Sequence, residues 1–587
     1  MKDNFITTNS ITSLLKMKPA LREKKFNELT IEEQLSTVLF APWEKRQEII
    51  TLSHRAREIV QALPAEELFW TIKATGPEDA ALLLDYVRPS QLQLFFDLDW
   101  WHKAELRPDK IAAWLVLMFE HAGKKADAWL QWICQKDIWL MASILHKFVL
   151  VQKRPDDMEI QEAKDKLPAF TLDNVYYIAF RNPKLAPLMG MLLSKMIGLS
   201  AGFYRDALET MLGQTPSENL ETAYKLRCGR IQDIGIPDYY ESLDIYLPLE
   251  PGEMHRKEVE AFKSLPPSDH MPAFVPTLYI SDLPMVHQAV IALAGSRDME
   301  RIVMESVGVA NKVLMADSVN LDDPSALKSA LKKTFSMLNL GMEFLGREWS
   351  LPPEKVLASC FIEEIVRVAS HLLLGLSTMA RGLDERRSSA FLPYELREQV
   401  RAALYRPSML YNSAAADNEF ITSLKQVDLC SSRLQQAKSW CSITEMLNPA
   451  FDSWEKVIDW PATNFMAPEE FTAPAALGTA VCNRIIHGSM EVKPVSAQDC
   501  IMFINMIDEN GKGIKDRAGS LIDEILSLVQ STGNYQADIN NHEVVEIKEL
   551  ALKTVQRMFD ELKETELDEG DPSDSLRFIK GLLVKTG

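Results

Sequence analysis

Three short segments near the N-terminus each begin with proline and decide the fold class: Pro64-Ala-Glu-Glu-Leu68, Pro77-Glu-Asp-Ala-Ala81 and Pro89-Ser-Gln-Leu-Gln93. Their prolines lie 13 and then 12 residues apart. Proline suits the first turn of a helix, and the acidic residues of the first two segments favour the positive end of the helix dipole. Helices of two or three turns are too short to stand alone, so they must pack on one another as stacked repeats do. These segments therefore predict a helical superhelix.

Helical periodicity continues on both sides of the repeats. Residues 43–63, after Pro42, predict one amphipathic helix, and the repeat pattern runs on through 108–119 to about residue 151. Further helical patterns cover 285–293, 298–315, 324–344, 352–376, 392–404 and a group in 475–562. Strand-like runs occur at 175–180 and 274–280. The predicted fold class is mainly all-α, an N-terminal superhelix of short Pro-initiated helices followed by larger multi-helix domains.

Changes in composition predict six segments along the chain. They are an N-terminal arm (1–30) with a short helix around 11–17, the superhelix (31–151), a helical middle segment (152–250), a helical domain (251–448), a C-terminal helical segment (449–562), and an acidic linker with a terminal helix (563–587). Prolines between 248 and 276 and between 449 and 474 indicate two of these boundaries. Residues 574–584 predict a detached amphipathic helix.

Composition excludes several classes of function. The 587 residues carry 64 Lys and Arg against 83 Asp and Glu, and the net charge of -19 repels phosphate backbones, so nucleic acid is not an expected partner. Seven cysteines without a C-x-x-C pair fit a reducing compartment, and residues 1–10 lack the apolar run of a secretory signal. Lys195 interrupts the most apolar stretch, 185–204, which predicts a buried core helix rather than a membrane span. We expect a cytoplasmic protein.

Two resemblances extend this interpretation. Residues 63–68 and 76–84 resemble the repeats in the N-terminal cytosolic domain of MgtE-type magnesium transporters, and the sequence departs from them at Phe69, Trp70, Trp100 and Trp101. The sequence after these repeats does not resemble the nucleotide-sensing domains or the membrane pore of those transporters. Transport is therefore not implied. The resemblance suggests divalent-cation sensing as a weaker hypothesis, with no cation ligand matched to a position in this chain.

The second resemblance covers the whole chain. Residues 221–230, 235–239 and 244–246 are similar to a large uncharacterised bacterial family, which joins such repeats to a long helical remainder and has no activity attached to it. This resemblance implies the architecture and leaves the function open.

Three motifs could carry catalysis or metal binding. Gly198-Leu-Ser200-Ala-Gly202 matches the nucleophile elbow of α/β-hydrolases, but the preceding residues predict a helix where that motif needs a strand. Asp508 begins a partial calcium loop that has Gly519 where an acidic ligand is needed. Glu364 and His371 share one helical face, as two metal ligands would. Because no glycine-rich phosphate loop occurs either, no cofactor is expected.

Two pairs of residues are candidate binding sites. Eight of the twelve tryptophans lie between residues 43 and 139, where they either fill gaps in the core or, for Trp100 and Trp101, anchor a partner peptide. Neighbours on a helix point in different directions, so we expect that these two do not both lie in the core. Arg227 and Arg230 either complement a helix dipole and pair with acidic neighbours, Glu221 or Asp233, or they form an anion clamp.

These observations favour a non-enzymatic protein-interaction or scaffold protein with an unidentified protein partner. The alternative is an enzyme with an unrecognised site, either a serine hydrolase acting through Ser200 or a metal enzyme using Glu364 and His371. The weaker alternative is the divalent-cation sensor.

Overall fold

The computed structural model describes residues 17–76, 79–121, 123–233, 235–255, 282–320, 323–447, 458–531, 541–565 and 575–586. These ranges are mainly α-helical with small antiparallel sheets, which confirms the predicted fold class. The chain divides into two compact units, the first formed by residues 1–245 with 307–330 and the second by 246–306 with 331–587. The finer segment boundaries expected from composition stay predictions.

Short helices dominate the sequence up to residue 245. They are α1 (Pro19–Asn27), α2 (Ile31–Phe40), α3 (Trp43–Ile50), α4 (Ala56–Ala62), α5 (Ala65–Thr75), α6 (Ala81–Leu84), α7 (Pro89–Asp99), α8 (Pro108–His121), α9 (Gly123–Lys136), α10 (Ile138–Phe148), α11 (Ile160–Lys166), α12 (Ala186–Leu199), α13 (Ala201–Gly213), α14 (Pro216–Gln232) and α15 (Tyr239–Ser242). Strand β1 (Trp101–His102) pairs with β2 (Glu105–Leu106), and β5 (Tyr176–Phe180) lies between β3 (Val149–Lys153) and β4 (Phe170–Thr171), all antiparallel.

Proline marks the start of two of the three repeat helices. Pro89 is the first residue of α7, and Pro64 precedes α5 by one residue as its N-cap. Pro77 and Glu78 lie outside the described residues, as do residues 11–16 and the strand-like run 274–280. The first and third repeats therefore form helices that begin at or next to their prolines, as the sequence predicts, whereas the helix described in the second repeat, α6, has only four residues.

The single amphipathic helix predicted over residues 43–63 is wrong, because two helices, α3 and α4, cover this stretch. Between them the backbone N–H of His54 donates to Asn27 Oδ1 at 3.0 Å, and that of Arg55 donates to Ser53 Oγ at 3.0 Å. These side chains replace the helical carbonyl partners of both amides, so the helix ends and restarts.

Aromatic side chains fill the core of unit 1. Phe96, Trp100 and Trp129 are fully buried. The Phe96 ring stacks on Trp100 with centroids 4.0 Å apart and meets Trp129 edge-on at 4.8 Å. Offset and edge-to-face pairs of this kind add to the stability that their buried area supplies. This cluster holds the C-terminal end of α7 in place.

Longer helices build most of the chain after residue 283. They are α16 (Pro284–Leu293), α17 (Arg297–Ala316), α18 (Pro324–Trp349), α19 (Pro353–Ser359), α20 (Ile362–Asp384), α21 (Tyr394–Ala403), α22 (Leu424–Leu447), α23 (Ala473–His487), α24 (Ala497–Ser531) and α25 (Asn541–Glu564), with strands β6 (Met409–Asn412) and β7 (Asp417–Phe420) paired antiparallel. Shorter 3₁₀ turns occur at Pro183–Leu185, Leu243–Tyr246, Pro251–Glu253, Arg387–Phe391, Trp460–Ala462 and Pro468–Glu470. The helix predicted over 352–376 is divided, since α19 ends before Cys360 and α20 begins after Phe361.

The detached terminal helix predicted over 574–584 is wrong. Val584 and Lys585 instead form β-bridges with Val495 and Thr463. Leu582, Leu583 and Val584 are fully buried. The apolar residues that suggest an amphipathic pattern therefore belong to the core of unit 2.

Close approach of the backbone explains one glycine in this region. A Cβ on Gly478 of α23 would lie 2.6 Å from the Met558 sulfur and would overlap the Gly581 carbonyl oxygen. Helix α23 thus packs directly on the backbone of the C-terminal segment.

Candidate anion-binding site

Helices α7, α10 and α14 of unit 1 are joined by a buried ion network. Arg230 donates from Nε to Asp97 Oδ2 at 2.7 Å, from Nη2 to Asp97 Oδ1 at 2.9 Å, and from Nη1 to Asp137 Oδ2 at 2.8 Å. Both carboxylates are completely buried, whereas the Arg230 side chain is 26% exposed. Burial raises the pKa of both aspartates, and the charge of Arg230 opposes that rise.

The network changes the roles expected for the arginine pair. The predicted partners of the arginines, Glu221 and Asp233, are not the partners of Arg230, and Glu221 pairs with Lys225 instead at 2.6 Å. Three donor atoms of Arg230 already bind carboxylates. Arg230 is therefore the anchor of the network rather than a free ligand for an anion.

Arg227 has a different environment, although it lies one turn away on α14. Its Nε donates to the Asp97 carbonyl oxygen at 2.7 Å, and its guanidinium lies 5.4 Å from the Trp101 ring centroid. The residue is 3% exposed, and burial lowers the pKa of its guanidinium. Its buried Nη1 has no hydrogen-bond partner among the described residues. Because arginine keeps its charge in proteins, Arg227 carries an incompletely satisfied buried cation.

Arg227 lines a cavity of about 460 Å³ within unit 1, named here the Arg227 cavity. Its lining residues are Leu98, Asp99, Trp101, His102, Lys103, Arg107, Arg227, Tyr239, Leu314, Met315, Ser318, Val319 and Asn320. Two further lining residues, Trp101 and Ser318, each carry a buried polar atom, Nε1 and Oγ, without a partner among the described residues.

The cavity is electropositive, in contrast with the chain as a whole. The lining contains three basic residues, Lys103, Arg107 and Arg227, of which Arg107 also pairs with Asp109 at 3.2 Å, and one acidic residue, Asp99. Asp99 Oδ2 already accepts from Lys73 Nζ at 2.9 Å and from Trp114 Nε1 at 2.5 Å. Its negative charge is thus compensated from outside the cavity, and the lining favours an anion.

A second cavity of about 870 Å³ in unit 1 differs in these respects. It is lined by Lys73, Gly76, Asp79, Asp99, Lys110, Ala113, Trp114, Val116, Leu117 and Glu120. Its acidic residues outnumber its basic ones, and none of its lining residues carries a buried polar side-chain atom without a partner. The two cavities therefore differ in the charge of their linings and in the presence of unpaired buried polar atoms.

The expectation that Trp100 and Trp101 cannot both lie in the core is wrong, since they are 0% and 6% exposed. Helix α7 ends at Asp99, Trp100 is its C-cap, and Trp101 begins β1. The change from helix to hairpin at this point turns both indoles inward. Trp100 joins the aromatic core, whereas Trp101 lines the Arg227 cavity.

The structure does not assemble the predicted hydrolase site. Ser200 is the N-cap of α13, directly after α12, and its Oγ accepts from the backbone N–H of Gly202 at 3.1 Å. Helices flank it on both sides, as the sequence predicts, so the strand that a nucleophile elbow requires does not precede it. The motif therefore caps a helix.

The metal candidates are likewise not assembled. Glu364 and His371 lie on α20, but the Glu364 carboxylate contacts the His255 ring at 2.7 Å. Residues 508–519, the partial calcium loop, form part of α24. Within the described ranges no group of three or more His, Cys, Asp or Glu side chains could hold a metal ion. None of the described helices is both long and apolar enough to span a bilayer.

Sequence reasoning missed Asp97, Asp137 and Ser318. The first two carry a recognisable signal, because Asp97 interrupts the apolar run of α7 and Asp137 precedes the apolar helix α10, whose Leu140 amide it caps at 3.1 Å. A charge inside an apolar run predicts a buried partner. Ser318 carries no such signal.

Comparison with known proteins adds one match. A model of a protein family, described as a family of unknown function (DUF6178), matches residues 23–585. No curated protein and no solved structure matches the chain. The resemblance of the N-terminal repeats to the MgtE-type domain is not supported.

Proposed function

We propose that this chain, which belongs to the family of unknown function DUF6178, is a non-enzymatic binding protein whose Arg227 cavity takes a small anionic ligand. Membership of the family assigns the chain no activity. The observation that carries the proposal is the charge of the cavity lining, where Lys103, Arg107 and Arg227 accompany one acidic residue, Asp99. The Asp99 carboxylate already binds Lys73 and Trp114, which lie outside this lining. An anion in the cavity would balance the positive charge that remains.

The lining supports binding rather than catalysis. A serine nucleophile needs an adjacent base that takes its proton, but Ser318 Oγ has no hydrogen-bond partner in the described part of the chain. The electropositive lining also opposes a divalent cation, which favours carboxylate and carbonyl ligands. Neither the hydrolase nor the cation-sensor hypothesis gains support here.

Size indicates a small molecule rather than a protein. A volume of about 460 Å³ lies within the range of small-ligand pockets, roughly 300–1,000 Å³. The protein-interaction hypothesis relied on Trp100 and Trp101 as surface anchors, and their burial removes that support. A protein partner and a scaffold role stay predictions from the repeats.

Tryptophan fluorescence of the full chain during titration with sodium sulfate, at constant ionic strength, tests the proposal. We expect saturable binding that Arg227→Met weakens by about tenfold or more, since a charge-assisted hydrogen bond contributes about 1.5–3 kcal/mol. Lys225→Met is the matched control, because Lys225 lies on the same helix and its side chain is 72% exposed. A signal that does not saturate, or that is equal in both variants, would exclude the anion site.

A further inference from the structure

We infer that Lys103 is the specificity-determining residue of the Arg227 cavity, whose ammonium contacts the charged group of the anion, and that a left-handed turn holds it there. This inference rests on the anion site proposed above and names the side chain that selects the ligand by its charge. It follows from the exposure of the lining cations, the backbone conformation of Lys103 and the contacts of the β1–β2 hairpin.

Lys103 differs from the other two cations of the lining in accessibility and in what it already binds. Arg107 pairs with the Asp109 carboxylate at 3.2 Å, and Arg227 is only 3% exposed. Lys103 is exposed, and none of the described carboxylates forms an ion pair with its ammonium. Lys103 is therefore the cation of this lining that an anion can reach without breaking an existing ion pair.

The Lys103 ammonium lies beside another residue of the cavity wall. Its Nζ is 5.6 Å from the ring centroid of Tyr239, which also lines the cavity. An ammonium within about 6 Å of an aromatic ring centroid is attracted to the ring. This contact keeps the charge at the wall of the cavity, where a bound ligand meets it.

The backbone of Lys103 has a conformation that lysine rarely adopts. Lys103 is the first residue of the two-residue loop between β1 and β2, which the pair His102 and Glu105 closes, and its φ is 57°. Such loops favour glycine, asparagine or aspartate where φ is positive, because a Cβ makes that region unfavourable. Residues held in rare backbone regions cluster at ligand-binding sites, so the cost of a lysine here indicates a use for its side chain.

A second residue of the same lining has this feature. Ser318 has a φ of 51° in the turn after α17, where its N–H donates to the Met315 carbonyl oxygen and the Val319 N–H donates to the Leu314 carbonyl oxygen, both at 3.0 Å. Glycine usually takes the left-handed position of this helix-ending motif. Of the five non-glycine residues with positive φ in the described ranges, two therefore line this one cavity.

The hairpin that carries Lys103 is anchored on both strands. Trp101 and Leu106 pair across it and are 6% and 4% exposed, and the Arg107 N–H donates to the Trp100 carbonyl oxygen at 2.7 Å. These contacts fix the loop, so the ammonium is in place before a ligand binds. Preorganisation of this kind lowers the cost of binding.

Three substitutions of Lys103 in the full chain separate its charge from its backbone strain. Lys103→Met removes the charge and keeps the strain, Lys103→Arg keeps both, and Lys103→Gly removes both. In the tryptophan fluorescence titration with sodium sulfate, we expect Lys103→Met and Lys103→Gly to weaken binding about fivefold or more and Lys103→Arg to stay within about threefold of the unsubstituted chain. In urea unfolding, Lys103→Gly alone of the three should raise the midpoint.

Asn174→Gly is the matched control. Asn174 has nearly the same φ, 56°, and is exposed in unit 1, but it does not line the Arg227 cavity. This variant should leave the affinity for sulfate unchanged. A loss of affinity as large as that of Lys103→Gly would overturn the assignment to Lys103, because it would trace the loss to the turn substitution itself.

The outcomes distinguish this inference from the proposed function. Sulfate binding that Arg227→Met weakens and Lys103→Met does not would overturn the role of Lys103 and leave the anion site intact. Equal weakening by Lys103→Met and Lys103→Arg would overturn selection by charge, and an unchanged midpoint in Lys103→Gly would overturn the strained turn. Absence of saturable binding by the unsubstituted chain would overturn both proposals.

Discussion

Arg230→Met should strongly lower the free energy of unfolding of unit 1. It removes three charge-assisted hydrogen bonds of 2.7–2.9 Å and leaves Asp97 and Asp137 buried without their cation. Breaking a buried ion pair by removing one partner costs about 3–5 kcal/mol, and the 26% exposure of Arg230 places the loss within rather than above that range. Arg230→Lys keeps the charge but not the fork, so we expect about half of the loss.

The loss should depend on pH in a defined direction. Burial raises the pKa of Asp97 and Asp137, and Arg230→Met removes the main group that opposes that rise, leaving Arg227 and Gln93 beside Asp97 and the Leu140 amide beside Asp137. A carboxyl group whose pKa is raised by folding stabilises the folded chain fully at pH values below its unfolded pKa, about 3.9. This stabilisation is lost as the pH rises through the pKa of the folded chain. Arg230→Met should therefore be more destabilised at pH 7.5 than at pH 5.

Urea unfolding followed by tryptophan fluorescence measures this loss. Eight of the twelve tryptophans lie in unit 1, so the signal reports mainly on that unit. Lys166→Met, which breaks an exposed pair with Glu162, is the control and should change nothing measurable. A loss below about 1 kcal/mol for Arg230→Met, or one that does not shrink at pH 5, would refute the reasoning.

Two further substitutions test the packing of each unit. Gly478→Ala forces a methyl group onto the Gly581 carbonyl and should lower the free energy of unfolding of unit 2 by about 1–3 kcal/mol in urea unfolding followed by circular dichroism. Gly375→Ala is the control, because Gly375 lies in helix α20 with open space where a Cβ would be, and it should slightly raise the free energy of unfolding. Equal losses in the two variants would contradict the packing argument. Phe96→Ala removes a fully buried ring from the tryptophan cluster and should cost about 3–5 kcal/mol in the fluorescence assay, whereas a loss under about 1 kcal/mol would show that the cluster is not the core.

Helices were predictable from the sequence where local periodicity decides the structure. The patterns over 298–315 and 108–119 correspond to α17 and α8, with ends that shift by a few residues. Breaks between helices were not predictable where a side chain distant in the sequence binds the backbone at the break. The break after α3 depends on Asn27, which is 27 residues away from the amide that it binds.

The candidate site was predictable in residue type but not in geometry. Arg227 and Arg230 attract attention in the sequence, yet Asp97 is 133 residues from Arg230 and Asp137 is 93 residues from it. Local sequence spacing does not reveal partners at such separations. The prediction that Glu221 or Asp233 pairs with the arginines is therefore wrong for Arg230. The burial of both Trp100 and Trp101 is not predictable, because the hairpin that ends the helix between them has strands of only two residues each.

Unit 1 is assembled from two separate stretches of sequence, and this affects its formation during synthesis. Residue 330, the end of its second stretch, follows residue 245 by 85 residues. At about 5–20 residues per second, a ribosome needs roughly 4–17 s to cover that interval. Throughout it, the nascent chain contains Arg227 and Trp101 without the wall that Leu314 to Asn320 supply. The cavity is therefore complete only after translation of this later stretch, and a chain released before Ser318 carries the arginine without that wall.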